Sequence, residues 1–195
     1  MKTPLGPFAA AALAALAATP AAAADFGGPR ADVTVGLDRL GFDLADYGTD
    51  DDIRAKGVTL GGAVGYDAPF GGGLIAGVEA GVSWSTADRT FTNGTDTVSF
   101  DARRDFDLSA RLGAQVAPRT LLYGKAGYTN LRIGTDSTVA GVSPSDVTNL
   151  DGYRLGLGLE QGIGTNTYVK GEYRYSNYEA DVSKNEVLAG VGIRF

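Results

Sequence analysis

The sequence predicts an all-β protein, an eight-stranded antiparallel up-and-down transmembrane β-barrel, on three observations. Period-two alternation of apolar and polar residues recurs along the chain. Glycine, proline and asparagine clusters separate the alternating stretches at spacings that run short, long, short, long, as expected when turns lie at opposite ends of a barrel. No run of 18 apolar residues follows Asp25, so a helix is not the expected means of crossing a bilayer.

The N-terminus reads as an export signal. Lys2 gives a positive start, Phe8 to Ala18 a short apolar run, and Ala22-Ala23-Ala24 a small-residue cleavage site. Residues 1–24 are therefore expected to be removed, leaving 25–195 as the barrel domain. The apolar run is too short for a spanning helix before Pro20 interrupts it.

The strands follow in order. Asp32 to Leu44 begins with Val33, Val35 and Leu37 on one face, then changes phase to Leu40, Phe42 and Leu44, for which a bulge at Asp38-Arg39 is the expected cause. Val58 to Asp67 sets Val58, Leu60, Val64 and Tyr66 against Thr59, Gly61, Ala63, Gly65 and Asp67. Leu74 to Trp84 sets Leu74, Ala76, Val78, Ala80, Val82 and Trp84 against a face that includes Glu79. In Phe100 to Val116 the apolar row is broken only by Arg104. Leu121 to Asn130, Tyr153 to Ile163, Thr167 to Tyr178 and Val187 to Phe195 complete the set.

Which face points inward follows from composition. One face is rich in glycine and carries Glu79, Arg111, Lys125, Arg154, Glu160, Lys170, Glu172 and Arg174, a charge network with little bulk that suits the narrow interior of a small barrel. The other is aliphatic at mid-strand, with Tyr66, Trp84, Phe100, Tyr153, Tyr173 and Tyr175 near strand ends, as lipid bounded by aromatic girdles requires. A soluble barrel would need an apolar cavity that this charged face does not supply. Closure follows, because an open sheet edge in hydrocarbon leaves backbone groups without partners.

The ending Val187-Leu188-Ala189-Gly190-Val191-Gly192-Ile193-Arg194-Phe195 resembles the terminal strand of bacterial outer-membrane barrels. That resemblance implies recognition by the barrel-assembly machinery through Val187, Ala189, Val191, Ile193 and Phe195. Leu122-Tyr123-Gly124-Lys125-Ala126-Gly127-Tyr128 and Tyr168-Val169-Lys170-Gly171-Glu172-Tyr173-Arg174-Tyr175 resemble strands of the opacity-like family, which includes outer-membrane immunogenic proteins. The resemblance implies an OmpA-type barrel in the bacterial outer membrane, in contact with its lipid and lipopolysaccharide. It names no single role. A periplasmic peptidoglycan-binding domain is not expected, since the chain stops at the last strand.

Charge and composition narrow the function. The chain carries a net charge of −6, and loss of Lys2 makes the remainder more acidic, so nucleic acid is not an expected partner. The absence of cysteine and histidine removes the usual nucleophile, base and metal ligand, so neither catalysis nor a cofactor is expected. Glu79, Glu160 and Glu172 could do acid-base work, but neighbouring arginines and lysines make ion pairing the expected role. Asp46, Asp50, Asp51, Asp52, Asp88 and Asp96 make the long connections acidic, which fits cation or lipopolysaccharide bridging as well as simple solvation. Gly71-Gly72-Gly73 reads as a tight turn, with none of the context of a phosphate-binding loop. The expected function is a non-enzymatic envelope barrel presenting surface loops for interaction or adhesion. The alternative is a small-solute or ion channel through the charged lumen, gated by shuffling of Glu79, Arg111, Lys125 and Lys170.

Overall fold

The computed structural model describes residues 26–42, 53–86, 88–93, 96–138, 145–179 and 182–195. The expected signal segment, Leu44, Asp46 and Asp50 to Asp52 lie outside these.

The described chain is strand and tight turn: β1 (Gly28–Phe42), β2 (Ile53–Gly71), β3 (Leu74–Ser85), β4 (Asp88–Asn93), β5 (Asp96–Ala117), β6 (Thr120–Thr138), β7 (Ser145–Gly162), β8 (Thr167–Tyr178) and β9 (Val182–Arg194). Consecutive strands pair antiparallel except β3 with β4, β9 pairs with β1, and β3 pairs with β5, so the sheet closes. β3 and β4 both pair with β5 and make successive parts of a single stave, giving a closed eight-strand barrel. Closure gives every stave a hydrogen-bonding partner on each side, the requirement hydrocarbon imposes.

The faces sort as the alternation dictates. Val33, Val35, Leu37, Leu60, Val64, Val78, Leu108, Leu112, Leu155, Leu157 and Val191 are exposed on the outside. Trp84, Phe106, Tyr128 and Tyr153 ring the long-connection end, with Tyr66, Phe70 and Phe195 at the other. Gly71, Gly72 and Gly73, with φ of 99°, 61° and 76°, make the β2–β3 turn in a region where other residues are strained.

Two features differ from the sequence reading. The expected bulge at Asp38-Arg39 is absent: Asp38↔Gly57, Arg39↔Lys56 and Leu40↔Ala55 continue one register. The strand keeps its phase, so Leu40 turns into the lumen rather than toward lipid and is buried there. A register shift lies instead between Ala102 and Arg104 on β5, at the break that Arg104 makes in its apolar row. The strands also run further than alternation suggested. The connection left between the strands read as ending at Asn130 and starting at Tyr153 is largely strand, since β6 reaches Thr138 and β7 begins at Ser145, while Asp88 and Asp96 open β4 and β5.

Candidate functional site: the filled lumen

The inward positions of the staves converge on a charged interior in two tiers, bounded by apolar residues. In the tier nearer the short turns, Arg30 on β1 donates to Asp32 and Asp67, each at 3.1 Å, and to Glu79 at 2.7 Å. The second oxygen of Glu79 accepts from Lys125 at 2.6 Å. Lys125 pairs with Glu172 at 2.8 Å, Lys170 with Asp32 at 2.6 Å, and Arg174 also binds Glu172. Arg111 and Arg194 both bridge Asp67 and Glu160, at 3.1 and 2.7 Å for Arg111 and at 2.9 and 2.5 Å for Arg194.

Two tyrosines lock this tier to the wall. Tyr123 faces Gly158 across the β6–β7 ladder and Tyr168 faces Gly192 across β8–β9, so each ring lies over a position that lacks a side chain. Tyr123 donates its hydroxyl to Glu172 at 2.5 Å and Tyr168 to Asp32 at 3.0 Å. The guanidinium of Arg111 stacks 4.3 Å from the centre of the Tyr123 ring.

The tier nearer the long connections is built on Arg154. Its guanidinium binds Asp107 at 2.8 Å and Asp105, its Nε donates to Ser176 at 2.8 Å, and Glu186 lies 3.5 Å away. Thr129 and Tyr178 donate to Asp105 at 2.6 and 2.9 Å. Lys184 pairs with Glu186 at 2.9 Å.

Each tier is bounded by apolar residues. Leu40, Leu131, Ile133, Tyr178 and Val182, with Leu150 against them, form a layer toward the long connections. Phe26, Ile75 and Leu121 do the same at the short-turn mouth, where Arg194 donates to the Phe26 carbonyl at 2.7 Å.

All eight residues singled out from sequence, Glu79, Arg111, Lys125, Arg154, Glu160, Lys170, Glu172 and Arg174, are buried inside and ion-paired. The sequence reading omitted Arg30, Asp32, Asp67, Asp105, Asp107, Lys184, Glu186 and Arg194 from this set. Asp32, Asp67, Asp105, Asp107 and Arg194 already stood within its strands, and Asp67, Asp105, Asp107 and Arg194 on its polar rows. Lys184 and Glu186 continue the phase of Leu188 and Gly190, so extending the period two residues at a time would have found them. Val187, Ala189, Val191 and Ile193 lie on the outer face of β9, and Phe195 follows its end, exposed, with its backbone N–H donating to the Pro29 carbonyl.

Every inward carboxylate named here faces a cation, an arrangement suited to structural pairing rather than proton transfer. Among the described residues no group of three or more Asp or Glu is placed to hold a metal ion.

The family model described as "Outer membrane protein beta-barrel domain" matches residues 8–195. The chain is 27% identical over 166 residues to the 22 kDa outer membrane protein of Rhizobium leguminosarum bv. viciae, spanning 79% of this chain and 73% of that protein. It is 27% identical over 135 residues to the 31 kDa outer-membrane immunogenic protein of Brucella melitensis, spanning 65% of this chain and only 56% of that protein. Among solved structures it resembles Neisserial surface protein A, with a TM-score of 0.59 at 16% identity, covering 86% of this chain and 97% of that one. It also resembles Ail, the attachment invasion locus protein of Yersinia pestis, with a TM-score of 0.54 at 17% identity, covering 87% and 99%. At these identities the structural likeness is one of fold.

Proposed function

The chain belongs to the outer membrane protein β-barrel domain family and resides in the bacterial outer membrane, and on that premise we propose that it is a non-enzymatic, non-conducting envelope barrel that holds a β-sheet extension above the membrane for surface interaction. The observation that carries this reading is the length of the staves. A tilted strand crosses a bilayer in about 9–11 residues, whereas β5, β6 and β7 have 22, 19 and 18. The surplus lies at the long-connection end, where β4 to β7 remain paired beyond the aromatic ring.

The filled lumen supports the non-conducting part. A water path would have to cross both apolar layers and separate ion pairs between them, each pairing held by more than one partner. The channel reading requires such a path. Residues 1–24 act on this account as the export signal, and β9 presents Val187, Ala189, Val191, Ile193 and Phe195 to the assembly machinery.

Exchange of the extension tests the proposal. Replacing residues 89–100 and 135–148 with short turns is expected to leave a barrel whose gel mobility shifts on boiling while abolishing binding to any cell or matrix surface the intact protein adheres to. Adhesion that survives the exchange would overturn the assignment.

A further inference from the structure

The two charged tiers of the lumen are not balanced alike. In the tier nearer the short turns, Asp32, Asp67, Glu79, Glu160 and Glu172 meet Arg30, Arg111, Lys125, Lys170 and Arg194, a cation for each carboxylate. The tier nearer the long connections holds Asp38, Asp105, Asp107 and Glu186, and among the described residues Arg154 and Lys184 are paired with them. Arg174, which binds Glu172 between the tiers, is the remaining described cation of the interior. One carboxylate is left over, and a buried charge without its counter-charge is strongly unfavourable.

Geometry singles out Asp38, one inward step below Leu40 of the apolar layer. Lys184 lies 3.8 Å from it but 2.9 Å from Glu186. Asp38 Oδ2 accepts from Ser85 across β2 at 2.5 Å, while its buried Oδ1 has no hydrogen-bond partner. Thr59 stands directly opposite Ser85 on β2, and Ser83 is the next inward residue of β3. Both hydroxyls are fully or almost fully buried and likewise without a partner. Three orphaned oxygens on three adjoining staves therefore line one sector of the lumen. The inward positions beside them, Gly36, Gly57 and Gly61, carry no side chain. Buried oxygens of this kind call for a water or an ion, and a neutral water would satisfy the hydroxyls while leaving the charge.

We propose that Asp38, Thr59 and Ser83 hold a monovalent alkali cation, sodium or potassium, inside the barrel. The donors are all oxygen, which suits a hard cation. A single positive charge cancels the single excess carboxylate. Among the described residues no group of three or more acids is placed for an ion of higher charge. The cation belongs to the folded barrel, since the unfolded chain does not bring β1, β2 and β3 together, and its binding energy is folding energy. The site requires the closed, filled barrel and is independent of any surface role of the extension.

The test uses protein purified from the outer membranes of an expressing bacterium, unfolded in urea and refolded into phosphatidylcholine vesicles. Refolding and urea titration are run in sodium, potassium or choline chloride at one ionic strength, so that screening is constant and only the small cations can enter the site. The unfolding equilibrium constant of the wild type is expected to be about tenfold smaller in sodium or potassium than in choline. D38N is expected to abolish that difference and T59V/S83A to reduce it, both with boiling-dependent mobility retained; if D38N does not fold, T59V/S83A carries the comparison. Crystals grown in thallium(I) acetate are expected to show an anomalous peak between Asp38, Thr59 and Ser83. Equal stability in the three salts, an undiminished difference in the variants, or a thallium peak elsewhere would overturn the proposal. An infrared carboxylic-acid band that vanishes in D38N would place a proton where the cation is assigned, and would also overturn it. Absence of a boiling-dependent band in the wild type would instead overturn the barrel, and the site with it.

Discussion

At the scale of single residues, the molecule replaces a hydrophobic core with shared charges. Arg154, wholly buried, holds Asp105 and Asp107 on one strand and approaches Glu186 on another. Truncating one partner of such a set strands the others away from water, and Arg154→Ala is expected to cost about 3–5 kcal/mol in urea unfolding from lipid vesicles. Adding D105N and D107N should recover part of the loss. The glycines opposite tyrosines make a second case. A Cβ at Gly158 would collide with the Tyr123 ring, whereas Gly171, on the lipid face, has nothing within 4 Å. Gly158→Ala should therefore lower stability by about 1–3 kcal/mol, with Gly171→Ala within about 0.5 kcal/mol of wild type. The sequence made the charged residues legible because period two separates them from aliphatics. It hid the lumenal role of Leu40, which was read as a change of phase toward lipid, and those of Leu131 and Ile133, which fell beyond the strand as read to Asn130 although they continue the inward phase of Lys125 and Thr129.

At the scale of the element, strand existence was legible and strand length was not. Alternation in a spanning segment is enforced by lipid on one side and a polar lumen on the other. Beyond the membrane both faces of a strand can be polar, so the pattern fades while the ladder continues, as in Ser145 to Asp151 and Thr135 to Thr138. The misplaced bulge has the same origin. Leu40 looked like a change of phase when it was a change of environment, whereas the lone Arg104 marked a real shift of register. An extension that pairs outside the membrane should fold with little help from it. Proteinase K, which has no need of a basic residue, is accordingly expected on intact cells to spare β5 and β6 well beyond the aromatic ring and to cut at the connections, as read by mass spectrometry of the released peptides. Cleavage throughout 96–102 and 132–138 would contradict the paired extension.

At the scale of the whole molecule, closure and filling act together. Closure satisfies the backbone in lipid, and filling gives the narrow interior a set of contacts between distant staves, such as Arg30 with Glu79 and Tyr168 with Asp32. The apolar layers at the two mouths isolate these pairs from water, which strengthens them relative to exposed pairs. Removing Glu79 and Lys125 together deletes a cation with its counter-ion from the middle of the stack while leaving both apolar layers, so E79A/K125A is expected to remain electrically silent.

Single-channel recording of purified, boiling-sensitive protein in planar bilayers tests the sealed, filled lumen most directly. The expected record is a flat baseline in wild type and in E79A/K125A, across voltages that leave the bilayer intact. Reproducible steps of uniform size from the wild-type barrel, scaling with the amount of protein inserted, would mean that the interior conducts and that the sealed-lumen account is wrong.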